Sequence, residues 1–419
     1  MKDHFTSSDP RRRAVTVLAR VDAGQAHAAR LLSDAVPATR EIVLGTLRWQ
    51  LTLDHLLGPH LRRASASLDP VVRAVLRAGL YEAARMDTPV GIAVSEAVET
   101  AKAMAPRAAP LVNAVLRRAA ATTWPDPADE SLPLSLRFSH PAWLVERWLS
   151  ALGEDATRQL LAANQEPAAL SLLAPPDTVA ELAREGCPLA AHPHVAGLVI
   201  AREGAAAAVR ALRAGRAYAI DATAVIVARA LPDVAGLTLD LAAAPGGKSL
   251  VLATERAGRH LALDRHLGRV LMMQGNVQAA QRRPFLAVAD GELPPLRPAS
   301  CGAVLLDAPC SGTGTLRRHP EIRWRLRPRD LVELAAVQRR LARSAADLVA
   351  PGGSLLYATC SLEAEENADI VAGLGLQPLP LAERLPDGVP RQELSSGGVL
   401  LPPHAWGDGF TLHLLRRGP

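Results

Sequence analysis

From Ala235 onward the sequence alternates short apolar runs with helical stretches, and this alternation limits the fold more than any other feature of the chain. Candidate strands fall at 236–241, 260–264, 285–289, 302–307, 353–359 and 410–415. Strands separated by helices require crossover connections, the pattern of a parallel, doubly wound α/β sheet. Such sheets bind ligands outside the carboxyl ends of their strands. The residues that close each apolar run are therefore the candidates for chemistry. The Pro-rich stretch 378–403 reads as a loop or irregular excursion within this domain.

At 419 residues the chain exceeds the usual size of one core, so more than one domain is expected. Residues 9 to about 120 are read as helices: Ala14, Val17, Leu18 and Val21 recur at helical spacing, as do Val71, Val75, Leu76 and Leu80. Further helices are expected over Glu41–Leu57, Ala93–Met104 and Pro110–Ala119, with Asp9 and Asp69 as N-caps. Trp124-Pro125-Asp126-Pro127 interrupts the pattern and marks a boundary. Short β-like runs at Leu170–Leu173 and Leu198–Ala201 then indicate a small α+β module. The expected division is an all-α domain over 1–125, the α+β module over 126–225 and the α/β domain over 226–419.

Hydrophobic content of 49% with 21% charged residues is globular composition, while 3% aromatics leave a core of mostly Ala, Leu and Val. The start, Met1 to Arg13, is polar and then basic and shows no secretory signal, and no apolar run approaches the ~18 residues of a membrane span. A cytoplasmic protein with no membrane partner is expected. The four cysteines lack zinc-site spacing and should stay reduced. A net charge of +5 suggests a polyanionic partner, which the arginines Arg11, Arg12, Arg13, Arg62, Arg63, Arg117 and Arg118 of the helical domain can meet.

The first candidate strand ends in Asp240-Leu241-Ala242-Ala243-Ala244-Pro245-Gly246-Gly247-Lys248-Ser249. Small residues and two glycines here let a cofactor approach the backbone, although the segment matches neither GxGxxG nor a P-loop. Asp264 ends the next strand, 17 residues beyond Gly247, where a carboxylate can accept hydrogen bonds from both ribose hydroxyls of an adenosine. Asp290 ends the third and can reach an adenine edge. One such aspartate is commonly a cap or turn residue. Three at successive strand ends point to a nucleoside cofactor.

Two cysteines close neighbouring strands: Cys310 in Asp307-Ala308-Pro309-Cys310-Ser311-Gly312, and Cys360 in Tyr357-Ala358-Thr359-Cys360-Ser361. A thiolate is a strong nucleophile, and nearby cations raise its population. Arg317, Arg318, Arg323, Arg325, Arg327 and Arg329 follow Cys310 with Trp324 among them, a stretch read as both activating the thiols and contacting RNA. Lys248 is one of only three lysines, with Lys2 and Lys102, which singles it out.

The run 240–249, the segment Asp307 to Trp324, Tyr357 to Ser361 with Glu365-Glu366-Asn367, and Gly407-Asp408-Gly409-Phe410 together resemble the bacterial RNA cytosine-5 methyltransferases of the RsmB/NOP family. The helical region, with Leu111-Val112-Asn113-Ala114-Val115-Leu116-Arg117 as its most telling segment, is similar to the NusB-like RNA-binding domain of one branch. The resemblance covers nearly the whole chain. It implies a Rossmann-like class I methyltransferase domain that uses S-adenosyl-L-methionine. Ala242, Ala243, Ala244, Pro245, Gly246, Gly247, Lys248, Asp264, Asp290 and Asp307 would bind the cofactor or frame the target base. Cys360 would be the nucleophile and Cys310 would assist product release, with Asp307 and Lys248 supporting catalysis. Ala242 departs from the family, which usually has cysteine there.

The implied reaction is methylation of carbon 5 of a cytosine in 16S ribosomal RNA by a monomer, on RNA that is unassembled or partly unfolded. Attack by Cys360 at carbon 6, with Asp307 at the N3 edge, would make carbon 5 nucleophilic, and the base must be unstacked for access. Transfer RNA is an alternative substrate. A DNA cytosine methyltransferase would use the Pro-Cys cysteine as nucleophile and would not need the helical domain. A non-enzymatic antitermination or assembly factor is opposed by the cofactor and cysteine motifs.

Overall fold

The structure is a computed structural model that describes residues 9–201, 206–277 and 283–419. The polar start Met1–Ser8, with Lys2, lies outside the described residues. The chain divides into two compact units. One comprises residues up to Glu166 together with Leu316–Arg325, and the other Pro167–Thr315 together with Leu326–Pro419.

The first unit is helical. Pro10–Asp22 starts behind Asp9, whose carboxylate accepts from the Arg11 and Arg12 amides, and Pro70–Arg85 starts behind Asp69, which accepts from the Val71 amide. Each cap satisfies backbone donors that the helix itself leaves unpaired. Pro37–Arg48, Gln50–Leu57, Val90–Met104 and Ala109–Ala119 complete a core of Ala, Val and Leu. The unit continues past the Trp124-Pro125 break into helices Leu134–Arg137, Ala142–Leu152 and Glu154–Ala163, so it takes in residues assigned from sequence to the middle module.

The basic stretch after Cys310 corrects the sequence reading. Arg323 is fully buried inside the helical unit, where its guanidinium donates to the carbonyls of Arg48, Ser139, Asn164 and Leu316 at 3.0–3.4 Å. The Trp324 indole donates to the Leu47 carbonyl (2.6 Å), Arg325 to the Ala26 carbonyl (2.9 Å), and the Arg317 carbonyl accepts from Arg48 (3.2 Å). The side chains of Arg323, Trp324 and Arg325 are bonded to internal backbone carbonyls and are not presented to a nucleic acid. Within the run, only Arg327 and Arg329 are exposed. Arg11 and Arg13 are likewise committed, to Glu82 and Asp34, whereas Arg62, Arg63, Arg117 and Arg118 face solvent.

The second unit opens with a small antiparallel sheet of β1 (Leu170–Leu173), β2 (Leu189–Ala191), β3 (Leu198–Ala201) and β4 (Tyr218–Ala219), in the order β2-β3-β1-β4. After helix Ala222–Ala230 comes a nine-stranded sheet. Its strands are β5 (Leu237–Asp240), β6 (Arg259–Asp264), β7 (Phe285–Val288), β8 (Cys301–Asp307), β9 (Val349–Thr359), β10 (Gln377–Pro378), β11 (Gln392–Glu393), β12 (Val399–Leu401) and β13 (Phe410–Arg416). The order is β11-β12-β13-β9-β8-β5-β6-β7, with β10 on β13. β5 through β9 pair in parallel, and β13 joins β9 antiparallel.

This topology positions the site. The chain runs outward from β5 through β6 to β7, then resumes at β8 on the other side of β5. The order therefore reverses between β5 and β8, and a crevice opens at such a switch point. The stretch 378–403 is not wholly irregular: it contributes β11 and β12 to the sheet edge. Strands of two or three residues carry too few alternations to register as a period in sequence.

Candidate active site

The turn after β5 is built for close approach. The Leu241 amide donates to the Leu305 carbonyl of β8, and the Ala243 amide to the Leu263 carbonyl of β6, pinning the turn across three strands. Gly246 has φ of +100°, and a Cβ there would lie 2.5 Å from Met273 Cγ, so only glycine fits. Helix Gly247–Glu255 follows directly, with no side-chain cap on its first-turn amides. Asp264 is 5% exposed. One of its oxygens accepts from the His266 amide (2.9 Å), while among the described residues the other has only the Arg269 guanidinium as an ion-pair partner, at 3.8 Å, leaving acceptor capacity for hydroxyls. Asp290 lies two residues beyond β7, is exposed, and accepts from the Glu292 amide (3.0 Å).

Asp240 is buried beneath the turn. The Ser249 hydroxyl donates to one carboxylate oxygen (2.5 Å), and the other is buried with no hydrogen-bond partner among the described residues. Burial pushes its pKa up to about 7 against the opposing Ser249 hydrogen bond, with Asp307 adding to the rise. A glycine turn at a helix N-terminus, a free carboxylate edge on Asp264 and an orphaned buried oxygen fit a polar nucleoside cofactor. Sequence reading counts Asp240 with Asp264 and Asp290 as strand-end aspartates but gives it no place among the cofactor-binding residues.

Lys248, on the first turn of that helix, donates to Asp307 Oδ2 at 2.7 Å, and its ammonium lies 4.8 Å from the Phe410 ring centroid. Burial favours the neutral amine, but Asp307 and the Cys360 sulfur outweigh it and raise the Lys248 pKa. β8 ends at Asp307, paired in register with Ala358 of β9, and the two chains then carry Cys310 and Cys360 outward. Their sulfurs lie 3.2 Å apart. The hydrogen bond to Cys360, reinforced by burial, holds the Cys310 thiol well above its ordinary pKa. A raised pKa keeps the Cys310 thiol protonated beside Cys360, and either sulfur can donate across the contact.

Both cysteine loops are framed by backbone bonds: Ala308 amide to Ala358 carbonyl (2.9 Å), Gly314 amide to Cys360 carbonyl (2.8 Å) and Gly409 amide to Gly314 carbonyl (2.8 Å). Ser311, Ser361 and Glu366, given no role from sequence, also meet here. Among the described residues no cluster of His, Cys, Asp and Glu is arranged to hold a metal ion, and no helix is long and apolar enough to cross a membrane.

A doubly wound sheet with a glycine turn at β5, a carboxylate ending β6 and reactive side chains at the switch point defines an α/β methyltransferase. Residues 231–415 match the family model of the 16S rRNA methyltransferase RsmB/F, and residues 8–121 that of the NusB family. The probable ribosomal RNA small subunit methyltransferase B of Bacillus subtilis (strain 168) is 30% identical, covering 96% of this chain and 98% of the relative. The ribosomal RNA small subunit methyltransferase B of Klebsiella pneumoniae (strain 342) is 31% identical over 88% of each. The crystal structure of PH0851 shares the fold, with a TM-score of 0.79 and 24% identity over 98% of this chain and 99% of that one. The chain belongs to the RsmB/F family and is an S-adenosylmethionine-dependent RNA methyltransferase.

Proposed function

We propose that this protein methylates carbon 5 of a cytosine in 16S ribosomal RNA through a covalent adduct with Cys360, acting in the cytoplasm as a monomer on RNA not yet fully assembled. The observation that carries this reading is the pair of thiols 3.2 Å apart at the switch point, beside the Lys248–Asp307 ion pair. The turn Ala242–Lys248, with Asp264, Asp290 and Asp307, would hold S-adenosylmethionine, which supplies an electrophilic methyl group. The NusB-like segment would present the RNA through Arg62, Arg63, Arg117 and Arg118, which are exposed.

In this mechanism Cys360 attacks as the thiolate and forms a sulfur–carbon 6 bond. The ring π electrons move toward N3, where Asp307 faces the ring and Lys248 offsets the developing charge. Carbon 5, now enamine-like, would take the methyl group as its bond to the donor sulfur breaks and leaves the electron pair on that sulfur, and carbon 5 then loses its proton to water. The carbon 5–carbon 6 double bond re-forms as the sulfur–carbon 6 bond breaks, and its electron pair returns to Cys360. The Cys310 thiol, held protonated, donates a hydrogen bond to that departing sulfur.

The test is a denaturing gel after each variant is incubated with ribosomal RNA and S-adenosylmethionine. Cys360→Ala should neither methylate nor form an adduct. Cys310→Ala should methylate but accumulate RNA attached to Cys360. The reverse pattern would exchange the roles of the two cysteines.

A further inference from the structure

Glu366 is fully buried, and its close partners are neutral donors. One carboxylate oxygen accepts from the Ser311 amide (2.8 Å) and from Gln338 Nε2 (2.9 Å). The other accepts from the hydroxyls of Ser311 and Ser361, each at 2.5 Å. Ser311 follows Cys310, and Ser361 follows Cys360. Gln338 also donates to the Pro309 carbonyl (2.8 Å), on the other side of Cys310. The Glu366 carbonyl in turn accepts from the Tyr357 hydroxyl (2.7 Å) at the end of β9. One carboxylate thus binds the residue next to each cysteine.

Such a tie is needed at this point. The β8–β9 ladder stops at Asp307 and Ala358, before either cysteine. Beyond it the Gly314 amide still ties the first loop to the Cys360 carbonyl, and the Glu366 carboxylate adds the tie beside Cys310, through Ser311. Four donors converge on this one carboxylate and together fix both loops in a single geometry.

We infer that Glu366 is a positioning residue for product release, holding the Cys310 sulfur against Cys360 while Cys360 carries RNA. This rests on the reading that Cys360 attacks and Cys310 assists its departure. Glu366 touches no reacting atom. Release breaks the carbon 6–sulfur bond and returns the electron pair to Cys360, and a displaced Cys310 thiol could no longer donate to that sulfur. Methyl transfer precedes this step and depends less on Cys310.

The chemistry of the network supplies a discriminating pair of variants. In Glu366→Gln the amide oxygen can accept from the Ser311 amide and Gln338. Its NH2 can donate to the two serine hydroxyls, which rotate to accept, so the geometry survives without the charge. Glu366→Met keeps the bulk and removes every side-chain hydrogen bond.

Single-turnover assays with full-length protein, ribosomal RNA and labelled S-adenosylmethionine would follow methyl transfer and adduct decay separately, with thermal melts confirming folding. Glu366→Met should slow adduct decay on the order of ten- to a hundred-fold, as expected for sub-ångström to ångström misplacement, with methyl transfer reduced far less. Glu366→Gln should restore decay to near the wild-type rate. Should Glu366→Met fail to fold, the double variant Ser311→Ala/Ser361→Ala, which keeps the amide and Gln338 bonds, should slow decay by a smaller factor. A folded Glu366→Met or double variant with wild-type decay would overturn the inference, as would a Glu366→Gln variant as slow as Glu366→Met. Cys310→Ala serves as the control: absence of an adduct there would instead sink the underlying cysteine assignment.

Discussion

Asp264 and Asp240 close adjacent strands, yet their surroundings give them opposite duties. Asp264 keeps a carboxylate oxygen available, and in the proposed site it receives the ribose hydroxyls. Charge-assisted hydrogen bonds contribute roughly 1.5–3 kcal/mol, so Asp264→Ala should weaken S-adenosylmethionine about ten- to a hundred-fold with the fold intact. Calorimetric titration reads this directly, and unchanged affinity would remove Asp264 from the site. Asp240 is a matter of stability. Burial raises its pKa from 3.8 to about 7 in the folded chain. Between those values the folded protein retains a proton that the unfolded chain has released. Stability therefore falls as pH rises through this window and is level above it. Asp240→Asn removes that loss. In cofactor-free protein, urea titrations should show the variant gaining on the wild type between about pH 4 and about pH 8, by at most about 4 kcal/mol at ~1.4 kcal/mol per pKa unit. A difference independent of pH would mean that Asp240 ionises normally.

At the scale of elements, the cysteine loop is closed by a crossing of two glycines. The Gly409 amide donates to the Gly314 carbonyl, and a Cβ on Gly314 would lie 2.2 Å from the Gly409 carbonyl oxygen. Neither backbone can yield without moving the loop that carries Cys310 or the start of β13. Gly314→Ala should therefore cost about 1–3 kcal/mol, as overpacking of a filled interior does, and should reduce methyl transfer. Thermal denaturation and a methylation assay check both parts, and a fully stable, fully active variant would contradict the crossing. The cysteine strands themselves were legible in sequence, because β8 and β9 are apolar runs that end in small residues. The crossing was not, since Gly314 and Gly409 are 95 residues apart and no local pattern couples them.

For the whole molecule, the placement of Arg323 changes how RNA binding should be tested. Deleting residues 1–125 would strip Arg48 from the buried guanidinium and Leu47 from Trp324, leaving polar groups unpaired, so such a truncation reports on folding. Substituting the exposed Arg62, Arg63, Arg117 and Arg118 with alanine spares these bonds. If they hold phosphates, RNA affinity should fall and its salt dependence flatten, by about 0.7 in the log–log slope for each single-strand phosphate no longer neutralised. Cofactor affinity should stay unchanged. Filter binding across a salt series reads this, and an unaltered slope would place the RNA elsewhere.

The sequence alone determined the helical start, the alternating α/β pattern, the cofactor turn and the two cysteine segments, because each is written in local periodicity or in a run of adjacent residues. Only the tertiary structure decided which segments meet. Whether an arginine reaches solvent or caps a buried carbonyl depends on what lies above it, so Arg323 and Arg62 look alike as letters and differ completely in the fold. Glu366 gained its place in the same way: its donors come from positions 311, 338 and 361, brought to one carboxylate by strand pairing and a helix. Chemistry that rests on residues far apart in the chain exists only once the sheet has closed around it.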